Sequence, residues 1–118
     1  MNTRQIGLLG ERIAEAFLAL KGYETLRRNY VFAGREIDLL MRRESYLVAV
    51  EVKLRRGARF GTAVEAVDSR KLSRIYVALE NALSQVKEPL RPRVDLIVID
   101  MDCDMKRMCV RHVEGVYL

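Results

Sequence analysis

Tyr46 to Leu54 reads YLVAVEVKL. Successive strand side chains point to opposite faces, so Val48, Val50, Val52 and Leu54 fall on one side of an extended chain. Glu51, Lys53 and the following Arg55 fall on the other. Upstream, Tyr30 to Met41 is a second apolar-rich run, separated from the first by the polar Arg42-Arg43-Glu44-Ser45. The pair predicts an antiparallel hairpin. In Tyr30 to Met41, Ile37, Leu39 and Met41 are expected on one face and Glu36 and Asp38 on the other, so both strands carry ionisable side chains to the same end.

Working outward, Ile6, Leu9, Ile13, Phe17 and Leu20 have the three-and-four spacing of an amphipathic helix. Lys21-Gly22 closes it, since Gly accepts the left-handed conformation at a helix end and a cation suits the C-terminal dipole. After the hairpin, Leu54 to Thr62 (LRRGARFGT) reads as an exposed basic loop. Thr62 followed by Glu65 fits a capping box, and Val67, Leu72, Ile75, Leu79, Leu83 and Val86 continue a second helix towards Pro89. Val94 to Ile99 is almost continuously apolar, as in a strand covered on both faces. Met101 to Lys106 reads as a polar turn, and Met108 to Val113 as a final strand. Helix, strands, helix, strands is the order of a mixed α/β sandwich, expected as a single domain over residues 1–118.

The chain has 118 residues, enough to bury a core without disulfides. Lys and Arg outnumber Asp and Glu by 21 to 16, a net charge of +5, and Arg residues cluster between Arg55 and Arg74. Such a surplus suits a polyanionic partner and equally a solvated basic surface. Cys103 and Cys109 lack zinc-site spacing and are expected to be reduced thiols. Charged residues interrupt Met1 to Leu20, which is therefore neither a secretory core nor a membrane span, and a cytoplasmic location with no membrane partner is the default expectation.

Phosphodiester hydrolysis needs a nucleophilic water and relief of charge on the phosphate and the leaving oxygen, and a divalent cation serves all three. Mg²⁺ takes oxygen ligands and keeps several waters, so Asp38 and Glu51 suffice as its carboxylates. They must then face the same way, which requires an even loop and a register that sets Asp38 beside Ala49 or Glu51. A slip of one residue would turn them to opposite faces. Lys53 shares the Glu51 face and would act electrostatically, and the Val52 carbonyl is a further candidate metal ligand. Alternating Glu and Lys is also how a solvent-facing strand is made soluble, so these residues alone fit both a site and a surface salt-bridge ladder.

Gly7 to Ala14 (GLLGERIA), Gly22-Tyr23, Asn29-Tyr30, Glu36 to Leu40 (EIDLL), Val50 to Arg55 (VEVKLR), Lys71 and Arg93 to Asp95 (RVD) occur in the order and spacing of a known family. Together they resemble the YraN family, small bacterial proteins similar to archaeal Holliday junction resolvases. The resemblance implies a restriction-endonuclease-like fold, a nuclease centre of the PD-(D/E)xK type and a Mg²⁺ or Mn²⁺ cofactor. It further implies structured DNA as substrate and, by analogy with resolvases, a homodimer. Carried onto this chain, the catalytic positions are Glu11, Asp38, Glu51 and Lys53. One departure stands out: the family has Gly directly before its Glu-Ile-Asp, where this chain has Arg35, with Gly34 one step earlier.

Helical periodicity sets Glu11 opposite the stripe of Ile6, Leu9, Ile13 and Phe17, the place of a solvated residue, while the resemblance makes it a ligand. Arg55, Arg56 and Arg59, beside the Glu-x-Lys strand, are candidates to hold a nucleic-acid backbone. Lys71 is either a phosphate contact or part of a solvated helix face, and Phe60 either a base-stacking ring or loop packing. His112 has no catalytic partner in the sequence and reads as structural. Two functions compete: a metal-dependent endonuclease, and a catalytically silent nucleic-acid-binding module on the same fold.

Overall fold

The computed structural model describes residues 1–57 and 68–117. Helix α1 (Thr3–Leu20) starts earlier than its apolar spacing predicts because Asn2 caps it. Asn2 Oδ1 accepts the Gln5 N–H at 2.8 Å, and the Asn2 N–H donates to Gln5 Oε1 at 2.9 Å. Two orphan donors of the first turn are satisfied reciprocally. The helix ends as expected, with Lys21 as C-cap and Gly22 at φ 91°.

The buried stripe of α1 differs from the predicted one. Gly10, Ala14 and Leu18 are buried, Ile6, Leu9, Ile13 and Phe17 are half-buried along the flank, and Leu20 is 90% exposed. Small residues one turn apart let the helix axis approach the sheet. A Cβ on Gly10 would lie only 3.2 Å from the Leu54 side chain. Hydropathy scores apolar area and misses this fit of a small residue against a large one. The rotation also brings Glu11 to the edge of the packed face, where periodicity had set it on the far side.

Tyr30 to Met41 does not form one strand. Strand β1 (Glu24–Phe32) turns into β2 (Arg35–Arg43) through Ala33 and Gly34, both at positive φ (50° and 75°), with Phe32 paired to Arg35. Two consecutive residues of this kind make a tight hairpin turn whose twist suits the strands it joins. The shifted Gly34 serves that turn. Most of β1 escaped the sequence reading because Tyr30 is its only buried residue, as befits an edge strand.

Strand β3 (Tyr46–Arg56) returns through the two-residue loop Glu44-Ser45, with Arg43 opposite Tyr46 and Leu40 opposite Ala49. The polar Arg42 and Arg43 therefore belong to β2, and the loop is even, as the carboxylate pair requires. Helix α2 (Ser69–Ser84) is capped by Asp68, whose Oδ1 accepts the Lys71 N–H at 2.7 Å. The Thr62–Glu65 box and Val67 lie outside the described residues, and Asp68 is the N-cap observed in their place.

Strand β4 (Arg91–Met101) runs parallel to β3, and β5 (Met108–Val113) antiparallel to β4, giving among the described residues a five-stranded mixed sheet in chain order. Val94 to Met101 is buried throughout, as expected of a strand covered on both faces. Leu40, Leu47, Ala49, Leu96 and Val98 pack beneath α2. Leu39, Met41, Val48, Val50 and Ile97 pack beneath α1 on the opposite face. The result is an open α/β sheet with a helix on each side, compatible with a restriction-endonuclease-like fold. No helix among the described residues is long and apolar enough to cross a membrane.

A buried polar hub joins β4, β5 and the α1–β1 junction. Asp95 is fully buried and accepts hydrogen bonds from Tyr23, His112, Arg93 and the Gly115 N–H. Burial alone pushes its carboxyl up, but these donors together bring it down to about 2. His112 thus has the structural part expected of it.

Candidate functional site

The β2–β3 ladder runs from Arg43 and Tyr46 as far as Leu39 and Val50. Beyond that point the Val52 N–H donates to Asp38 Oδ2 at 2.8 Å, so a side chain takes the place of a ladder partner. Strand alternation breaks at the same place. Ile37 falls into the core beneath α2 with Leu40, whereas Leu39 and Met41 pack beneath α1, correcting the expectation that all three share a face.

Continuing the register sets Asp38 opposite Glu51, and both line one cleft beneath the start of α2 with Glu36, Arg70, Lys71 and Arg74. Glu51 is 4% exposed. Burial first, and then the neighbouring Glu51 carboxylate, push Asp38 up to about 7, against the lowering influence of the Val52 N–H and Lys71. Two carboxylates held together away from water favour a proton or a cation between them. Lys71 Nζ lies 2.8 Å from Glu51 Oε1. Lys53, which strand alternation singled out, is exposed and does not line the cleft.

Glu11 lines a neighbouring cavity with Arg4, Gly7, Leu8, Asn29 and Glu36. Asn29 Nδ2 donates to Glu11 Oε1 at 3.1 Å and to Glu36 Oε1 at 2.9 Å, and Glu36 lines both cavities. The Glu11 carboxyl is raised by burial and further by the charges of Asp38 and Glu36, against the Asn29 hydrogen bond. The remote carboxylate is therefore coupled to the Asp38 cleft across Asn29 and Glu36 without lining it. Val52 takes part through its amide, and its side chain faces Gly10 of α1.

The proposed phosphate contacts separate. Arg55 makes a two-pronged ion pair with Asp100, at 2.8 and 3.2 Å, and Arg56 Nη2 donates to the Cys103 carbonyl at 2.9 Å. Arg59 and Phe60 lie outside the described residues. Arg70 and Arg74, which the sequence marks only as part of the basic cluster between Arg55 and Arg74, rim the cleft instead, and Arg74 Nη2 donates to the Gly34 carbonyl at 3.0 Å. Their spacing of four residues puts both on one helix face. That signal was present in the sequence, but its meaning depended on where α2 starts.

A divalent cation of the Mg²⁺ class takes hard oxygen donors and retains water. Asp38 and Glu51 supply such donors, and the Lys71 ammonium already stands as a cation against one of them. No cluster of three Asp, Glu, His or Cys side chains suited to a metal is present among the described residues. The protein would accordingly contribute two carboxylates and water the remaining ligands. Cys103 and Cys109 are exposed free thiols.

The family described as "Uncharacterised protein family UPF0102" matches residues 10–99. A UPF0102 protein of Carboxydothermus hydrogenoformans is 37% identical, covering 98% of each chain. One of Symbiobacterium thermophilum is 37% identical over 91% of this chain and 92% of its own. One of Dictyoglomus turgidum is 44% identical over 64% of each.

Proposed function

Because this chain belongs to the UPF0102 (YraN) family, a designation that carries no activity, we propose its reaction from the site: divalent-cation-dependent hydrolysis of phosphodiester bonds in structured DNA. The observation that supports this reading best is the pairing of Asp38 and Glu51 in a cleft rimmed by Arg70, Lys71 and Arg74. When bound, a Mg²⁺ or Mn²⁺ ion supplies Lewis-acid polarisation of the phosphate and a more acidic water. Asp38 is oriented for such an ion by the Val52 amide, which fixes Oδ2 and leaves Oδ1 without a donor among the described residues. Glu51 is held in place by its burial within β3.

Arg70 and Arg74 contact backbone phosphates without reading sequence, and the start of α2 adds the positive end of its dipole. Lys53 extends past Glu51 on the same strand and stabilises charge developing on the phosphate. Glu11 acts through Asn29 and Glu36, holding the far side of the cleft.

A panel of flaps, junctions and duplexes with Mg²⁺ or Mn²⁺ tests the reading. Cleavage is expected, with Asp38→Asn and Glu51→Gln each reducing the rate by about two orders of magnitude or more. A wild-type protein that cuts none of these substrates overturns it. One observation favours a binding module without turnover: Lys71 already neutralises Glu51. That alternative expects salt-dependent DNA binding that EDTA does not change, and no affinity for the cation.

A further inference from the structure

We infer that Lys71 is the resident counter-cation of the cleft: it holds the Glu51 carboxylate while no divalent ion is bound and releases it when one is. This rests on the nuclease reading and deepens it, because it names the residue against which a metal must compete.

The two partners differ in how they are held. Glu51 has a side chain only 5% exposed, whereas that of Lys71 is 55% exposed. The carboxylate is therefore fixed in the sheet while the ammonium reaches it from the solvent side. The Lys71 backbone is pinned, its N–H donating to Asp68 Oδ1 at 2.7 Å in the first turn of α2. Only the four-carbon stem needs to move, which suits lysine, a compact point charge on a flexible chain.

The other cations near the cleft are placed differently. Arg74 is tethered to the Gly34 carbonyl, and among the described residues Lys71 is the cation that forms an ion pair with Glu51. A buried carboxylate beside a second one is costly unless compensated, and the ammonium supplies that compensation. Hard oxygen donors already gathered around a removable positive charge form a site that a divalent ion can take over without rearranging the backbone.

The test is calorimetric titration of Mn²⁺ into nucleic-acid-free wild type, Lys71→Met and, as control, a variant of Lys87, exposed past the far end of α2 and outside the cleft, Lys87→Met. Removing the competing charge is expected to tighten Mn²⁺ binding in Lys71→Met by about fivefold, the upper range for a partly exposed ion pair. Lys87→Met should match the wild type. Equal or weaker binding by Lys71→Met overturns the inference and leaves the nuclease reading standing. Failure of all three proteins, wild type included, to bind Mn²⁺ overturns both.

Should Lys71→Met fail to fold, the wild type still decides by nitrogen NMR of its lysine ammonium groups. A Lys71 resonance that moves on Mg²⁺ saturation while Lys87 stays put supports the exchange, and one unchanged at saturation overturns it.

Discussion

Asp38→Asn deletes a charge while keeping the side-chain shape and an oxygen to accept the Val52 N–H. Burial and Glu51 push the Asp38 carboxyl from its ordinary 3.8 up to about 7. Between these values the folded protein holds a proton that the unfolded chain has lost. Wild-type stability therefore falls as pH rises through the window of about 4 to 7, and the loss is complete above it. A shift of roughly three units at about 1.4 kcal/mol each sets the penalty at up to about 4 kcal/mol.

For 118 residues, an unfolding entropy of about 2.1 cal/mol/K per residue converts each kcal/mol into about 4 °C. Asp38→Asn is thus expected to be more stable than the wild type at pH 8 in EDTA, with Tm higher on the order of 10 °C. The two proteins should converge as pH falls to about 4. Scanning calorimetry at pH 8, 6 and 4 measures this. Adding Mg²⁺ at pH 8 should then narrow the gap, because the ion stabilises the native wild type alone. A variant less stable than wild type at pH 8, or a gap that persists unchanged at pH 4, refutes the electrostatic account of the cleft.

Asp95→Asn should act in the opposite direction. Its depressed carboxyl contributes stability that is present above about pH 4 and lost as pH falls through about 2. The substitution is expected to cost roughly 3 kcal/mol at pH 7, a drop in Tm of about 12 °C, because Arg93 loses its buried counter-charge, and the cost should shrink in acid. Gly10→Leu should destabilise by about 1–3 kcal/mol in urea unfolding, since even a Cβ there meets Leu54 at 3.2 Å. Wild-type stability in that variant would show that α1 does not approach the sheet as described.

The legible part of the fold was its periodic part. Alternation in Tyr46 to Leu54 and the apolar run Val94 to Ile99 identified β3 and β4, and Met108 to Val113 was recovered over its observed length. Lys21-Gly22 marked the end of α1. β1 was largely invisible because an edge strand exposes most of its side chains and carries little hydropathy signal. The stripe on α1 was misread because close packing depends on the size of both surfaces, and Leu54, the partner of Gly10, is 44 residues away in sequence.

What the sequence by itself determined was the family, the order of its main elements and the candidate carboxylates Asp38 and Glu51, all carried by local pattern and ordered motifs. Only the tertiary structure decided that these two face each other, since that depends on a two-residue loop and on the point where β2 leaves its ladder. It also decided which lysine meets Glu51. Lys53 stands two residues away on the same strand, yet Lys71 makes the contact, because crossing α2 over the sheet brings a helix's first turn onto a strand 20 residues earlier in the chain.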